Sequence, residues 1–122
     1  MVKSAKDFVG PPTWLTLHSL AAAYSSDQKD DFIHYVRAMS RLFPCKTCRD
    51  NFKLKLEIVP VELYLNDNHS AFLWTYIVHD MVNEAITRTD PKNAKTSPPY
   101  NDVKFLYFSK LGEKCEDCEI DV

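Results

Sequence analysis

Cysteine is the residue most able to do chemistry in this chain, and its spacing is regular. All four cysteines fall in two Cys-x-x-Cys pairs, Cys45/Cys48 and Cys115/Cys118. Such a pair can close a reversible disulfide across one helical turn, or supply half of a four-thiolate zinc site. The first pair lies in Phe43-Pro44-Cys45-Lys46-Thr47-Cys48-Arg49-Asp50-Asn51-Phe52. Pro44 pushes the residue before it out of the α region, so Cys45 is expected at or just before the first turn of a new helix. Unsatisfied N–H groups and the positive end of the helix dipole stabilise a thiolate there. Lys46 and Arg49 add positive charge. Cys45 is expected to face solvent as the outer sulfur and Cys48 to point inward, an asymmetry suited to relaying electrons.

Zinc is the competing reading. Cys48 and Cys115 are much farther apart than the roughly 15–20 residues common in four-cysteine zinc ribbons. The second pair also sits in an acidic tail, among Glu113, Glu116, Asp117, Glu119 and Asp121, rather than in a tight knuckle. Spacing therefore favours redox chemistry, and a zinc-stabilised four-cysteine interaction module without catalysis stays open as the alternative.

A second constellation is aromatic and imidazole. Trp14-x-x-x-His18 and His79-x-x-x-Asn83 each place two side chains on one helix face by i, i+4 spacing. An aromatic plane, two imidazoles and an amide lining a bundle interior suit a flat heteroaromatic cofactor. The plain alternative is a polar patch in the core. No carboxylate joins these residues at metal-ligand spacing, so no metal site is expected. The two glycines, Gly10 and Gly112, are too far apart to build a Gly-rich nucleotide loop.

The elements that must position these groups read as helices. A chain of 122 residues with 45% hydrophobic content is sized for one domain with a real core. Helix one is expected from Pro11-Pro12-Thr13 to about Tyr24, since proline is tolerated in a first turn. Ser25-Ser26-Asp27 marks a turn and N-cap, and helix two follows to about Phe43, with Phe32, Val36, Met39 and Phe43 as its stripe. Helix three starts at the cysteines, carries Cys48, Phe52 and Leu56 inward, and ends at Val59-Pro60-Val61. Helix four is the longest, from Asn68 or Ser70 to about Thr87, with Phe72, Tyr76, His79, Asn83 and Ile86 inward. Residues 88–99 read as a polar loop, and a short fifth helix spans about Asn101 to Leu111. The division expected is an all-α helical domain over 1–111 and a flexible acidic C-terminal tail over 112–122. A net charge of −2 without a Lys/Arg block argues against nucleic acid as the main partner. No apolar run reaches the roughly 20 residues that span a bilayer, and the first residues lack the apolar core of a secretory signal, so a soluble protein is expected.

Three motifs, in order, carry a resemblance: Gly10-Pro11-Pro12-Thr13-Trp14-Leu15-Thr16-Leu17-His18, the Cys45/Cys48 stretch, and Trp74-Thr75-Tyr76-Ile77-Val78-His79-Asp80-Met81-Val82-Asn83. Together they resemble the Erv/ALR family of FAD-linked sulfhydryl oxidases over about residues 10–108. The first motif is most similar to that of small members encoded by large DNA viruses, which implies host cytoplasm or virion. The resemblance implies a four-helix bundle with a short fifth helix, FAD at one end, and a homodimer. It implies flavin-nucleotide contacts from Gly10, Trp14, His18 and Tyr24, and from His79, Val82, Asn83 and Arg88. Cys48 would face the flavin ring and Cys45 would exchange with incoming thiols. It implies oxidation of protein dithiols, or of a small thioredoxin-like carrier, with O2 as acceptor and H2O2 as product. Cys115/Cys118 would act as a shuttle ahead of Cys45/Cys48. The chain departs from the family pattern at Asp80, where the family has asparagine, at Arg88, where it has lysine, and at Pro11, where cellular members have arginine.

Overall fold

A computed structural model describes residues 5–112. Among the described residues all regular structure is helical: α1 (Ala5–Ala22), α2 (Lys29–Leu42), α3 (Lys46–Ile58), α4 (Asn68–Thr89) and α5 (Tyr100–Leu111), with short 3-10 turns at Ser26–Gln28, Val61–Tyr64 and Pro91–Asn93. The expected all-α architecture is therefore present. The acidic segment beyond Gly112, with Cys115 and Cys118, lies outside the described residues.

The packing follows from α4. It carries no acidic residue, lysine or arginine before Asp80, so it can be covered on more than one side. Ala71, Phe72, Trp74, Thr75 and Val78 are all fully buried. This differs from the single inner stripe expected at Phe72, Tyr76, His79, Asn83 and Ile86. Phe72 is buried, but Tyr76, His79, Asn83 and Ile86 are half-buried, and the first three of these line a pocket rather than the core. The core side is set by Trp74, edge-on to Phe32 of α2 at 6.4 Å. Its indole N–H donates to the Val59 carbonyl at 2.8 Å, satisfying a polar group that burial would otherwise leave costly. Leu17 and Ala21 from α1 and Val36 from α2 complete the interior.

Helix α1 begins earlier than expected, at Ala5, with Pro11 and Pro12 inside it. Proline reads as a helix start because it lacks the N–H that a first turn cannot use. Here the preceding residues are helical too, and two rungs of the ladder lack donors. Thr13 Oγ1 donates to the Val9 carbonyl at 2.6 Å, and Thr16 Oγ1 to the Pro12 carbonyl at 3.0 Å. At the opposite end, the Asn68 side-chain amide donates at 2.9 Å to both the Ala22 and Gly112 carbonyls. One residue thus satisfies C-terminal acceptors of α1 and α5 together.

The segment after α4 is held by side chains. Tyr76 Oη donates to the Pro98 carbonyl at 2.5 Å. Asn83 Nδ2 donates to Ser97 Oγ at 3.0 Å, and Ser97 Oγ donates to Asp80 Oδ1 at 2.7 Å. Thr87 Oγ1 donates to the Lys95 carbonyl at 3.1 Å and accepts from the Lys95 N–H at 2.9 Å. Residues 94–99 therefore form a strap along α4. No described helix is long and apolar enough to cross a membrane.

Candidate active site

Cys45 is the N-cap of α3, with extended backbone at φ −156° and ψ 111°, and its Sγ accepts the Cys48 N–H at 3.3 Å. Cys45 and Cys48 are joined by a disulfide across Cα atoms 5.2 Å apart. The turn before them is clamped. The Phe43 carbonyl accepts the Cys45 N–H at 2.8 Å and an Arg49 guanidinium N–H at 2.6 Å. Both cysteines are half-buried, so exposure does not separate an outer from an inner sulfur. Position does mark Cys48, which lies on the α3 face with Phe52 and Leu56, both packed on the core. The charge expected from Lys46 is spent differently: its ammonium pairs with Asp50 at 3.0 Å on the exposed surface. That contact holds the Asp50 carboxyl below the usual carboxylate range.

The second constellation converges as its spacing suggests. The Trp14 indole stacks on the His79 imidazole, with centroids 4.0 Å apart and planes 5° apart. His18, 3% exposed, lies between α1 and α4. Its Nδ1 is 2.8 Å from Thr75 Oγ1 and its Nε2 is 2.9 Å from His79 Nδ1. Burial and the neighbouring His79 push the His18 pKa down to about 3. Burial pushes His79 down to about 4, against the opposing pull of Asp80. Both rings are neutral at physiological pH.

Beside this pair lies a pocket of about 210 Å³ lined by residues that include His18, Tyr76, His79, Asn83, Val103 and Tyr107. It is smaller than the roughly 300–1,000 Å³ that enclose a drug-sized ligand. Its size and its largely apolar walls, which include the rings of His18, Tyr76, His79 and Tyr107, suit one heteroaromatic ring system with the rest of a larger ligand outside. Ser97 and Pro98 of the strap close one side.

The other residues singled out in the sequence are dispersed. Tyr24 is buried, donating its hydroxyl to the Leu65 carbonyl at 2.7 Å, edge-on to Phe32. Gly10 lies in α1 with open space where a Cβ would project. Val82 is half-buried on α4, and Arg88 is exposed in its last turn. Arg88 has a neighbour that the sequence did not reveal. Half-buried Lys55 of α3 has its pKa lowered by burial and by the Arg88 charge, so two cations from different helices approach one another. Asp80 also has a role the motif did not suggest, accepting a hydrogen bond from Ser97. Thr75 and Tyr107 are further side chains at the site. Thr75 is reached only through His18, while Tyr107 lies in the apolar pattern of α5 with Val103 and Leu106, which does not by itself point to this site.

Residues 11–101 match the family model described as the Erv1 / Alr family. The chain belongs to the Erv1/Alr family. It is 34% identical over 85 residues to a protein of Oryza sativa subsp. japonica named FAD-linked sulfhydryl oxidase ERV1, covering 66% of this chain and 43% of that one. A protein of Arabidopsis thaliana with the same name is also 34% identical over 85 residues, covering 66% and 44% respectively. The chain thus spans less than half the length of these curated relatives. No solved structure gives a significant match. The Erv1/Alr match includes both Cys45/Cys48 and the Trp14, His18, His79 cluster. Among the described residues no group of three or more His, Cys, Asp or Glu could hold a metal ion.

Proposed function

We propose that this chain is an FAD-dependent thiol oxidase, forming disulfides in protein dithiols and reducing O2 to H2O2. The observation that carries the reading is the Cys45–Cys48 disulfide capping α3 in a chain whose named relatives are FAD-linked sulfhydryl oxidases. The donor set fits a flavin dinucleotide. The pocket takes an aromatic ring, Trp14 and His79 supply a stacked pair, and Lys55 with Arg88 offers positive charge to an anion. His18, His79, Val82 and Asn83 would hold the nucleotide from α1 and α4, and Gly10 leaves room beside α1. Tyr24 would act through the core that positions α1. When bound, the flavin supplies a two-electron acceptor that passes electrons on to O2.

The chain's own chemistry is thiol–disulfide exchange. A substrate thiolate attacks Cys45 Sγ, the Cys45–Cys48 bond breaks, and Cys48 leaves as a thiolate. The second substrate thiol, deprotonated, then attacks the mixed disulfide at the substrate sulfur, releasing the oxidised substrate and the Cys45 thiolate. The position of Cys48 in the first helical turn, with a free-ended ladder of N–H groups, favours its thiolate. Cys115/Cys118 would act upstream as a tethered shuttle, taking electrons from a protein dithiol or a small thioredoxin-like carrier. A homodimer is consistent with the exposed apolar residues Phe8, Leu15, Leu54 and Ile58. The first motif supports kinship with virus-encoded members, with host cytoplasm or virion as the setting.

The test is the visible spectrum and oxygen consumption of the purified full chain. A bound-flavin spectrum and turnover of a small dithiol are expected. Cys48→Ser should keep the flavin and lose turnover. Cys115→Ser with Cys118→Ser should spare the small dithiol and slow a protein dithiol. A colourless, zinc-loaded protein, or full turnover in Cys48→Ser, would overturn the reading.

A further inference from the structure

The hydrogen bonds around His18 have only one consistent proton arrangement. Thr75 Oγ1 lies 2.7 Å from the Phe72 carbonyl and 2.8 Å from His18 Nδ1. A carbonyl can only accept, and a hydroxyl has one proton. Directing that proton at the imidazole would leave two oxygen lone pairs facing one another at 2.7 Å. The Thr75 proton therefore goes to Phe72, and Thr75 accepts from His18 Nδ1–H. Neutral His18 then has a bare Nε2, which must accept from His79 Nδ1–H at 2.9 Å. Neutral His79 is left with a bare Nε2. That atom has no hydrogen-bond partner among the described residues, and no described side-chain nitrogen or oxygen is both buried and unpaired, so it is open at the pocket that His79 lines.

We propose that Thr75 is a positioning residue that fixes both histidine tautomers, so that His79 presents an acceptor to the pocket and selects a heteroaromatic ring whose edge donates an N–H. With the flavin dinucleotide reading of the site, on which the ligand identity rests, the pocket of about 210 Å³ suits the bicyclic adenine better than the larger tricyclic flavin ring, and the donating edge is the adenine amino group. Burial keeps both rings neutral, so the relay is not short-circuited by a second proton. The fully buried Thr75 does not line the pocket and acts through His18. Removing its oxygen should release the chain from its single direction. In Thr75→Val the Nδ1–H of His18 would be a buried donor without a partner, which costs about 1–3 kcal/mol. Moving the proton to Nε2 leaves Nδ1 a buried acceptor without a partner instead, so neither tautomer is favoured at that atom any longer; where the proton moves, His79 Nδ1 becomes the acceptor and His79 Nε2–H a donor toward the pocket.

The test is carried out on the full chain with its flavin, labelled with ¹⁵N-histidine, and read by long-range ¹H–¹⁵N correlation. Wild type and Thr75→Ser should show both rings protonated on Nδ1, and Thr75→Val should show Nε2–H populated on both. The same three proteins, freed of flavin, are titrated with ADP and with purine riboside 5′-diphosphate, which lacks only the amino group. Wild type and Thr75→Ser should bind ADP about five- to tenfold more tightly, the worth of one hydrogen bond. Thr75→Val should lose or reverse that preference. Nε2–H on His79 in wild type, or unchanged tautomers in folded Thr75→Val, would overturn the positioning role. Predicted tautomers with equal binding of the two nucleotides would overturn the selectivity. Absence of bound flavin in wild type would instead count against the flavin reading, while the tautomers still judge Thr75.

Discussion

Mild acid should destabilise this protein through His18 and His79 before the carboxyls of Asp50 and Asp67 contribute. Both imidazoles have folded-state pKa values below the ordinary 6.5, at about 3 and about 4. The unfolded chain therefore binds more protons than the native one below that ordinary value, and stability falls as pH falls. The contribution is intact above pH 6.5 and is lost progressively down to the folded-state values. Between about pH 7 and about pH 5, one fully suppressed imidazole costs about 2 kcal/mol by linkage. His18 is buried enough to count in full. His79 is partly solvated, so about half of that is appropriate, and the pair should cost about 3 kcal/mol. That is a large part of the roughly 5–15 kcal/mol that holds a domain together. The carboxyls of Asp50 and Asp67 are shifted the other way, downward, so their stabilisation is lost only near pH 4 and below. Urea unfolding of the full chain at the two pH values should show a midpoint lower by about 1–2 M at pH 5, for an m-value of about 2 kcal/mol/M. The double variant His18→Gln, His79→Gln should lose most of that slope. An unchanged wild-type midpoint across this window would refute the claim that the two rings stay neutral in the fold.

Two further outcomes follow from the packing. Trp74→Phe removes the N–H bonded to the Val59 carbonyl and shrinks a fully buried side chain, and should cost about 2–4 kcal/mol, read as a lower urea midpoint with m unchanged. Ser97→Ala removes the link from the strap to both Asp80 and Asn83. It should cost no more than about 1 kcal/mol globally but speed amide hydrogen exchange over residues 94–99. Exchange equal to wild type would mean that the other ties suffice.

Much of this architecture is legible in the sequence because its signals are local. Pro44 ends α2 and leaves Cys45 to cap α3, a consequence of backbone sterics alone. The i, i+4 spacing of Trp14 with His18 places both where α4 can bring His79 to them. The misreadings have physical causes as well. Pro11 and Pro12 looked like a helix start because a proline in a first turn and one in an interior share the same backbone angle. α4 was given one inner face, yet a helix apolar on several sides is buried on several sides, and its period does not say which face meets the core. The approach of Lys55 to Arg88, and the grip of Thr75 on His18, are tertiary facts that no single segment encodes.

The clamp at Phe43 also bears on the reduced state of the Cys45/Cys48 pair. The carbonyl there is held by the Cys45 N–H and by Arg49, and neither bond involves sulfur. Opening the disulfide therefore leaves the turn in place. The two thiols stay at high effective molarity toward each other, so re-closing the ring needs little conformational search. The turn works as a reusable template: its shape outlasts the opening of the disulfide, and the next ring closure begins from a dithiol already arranged for it.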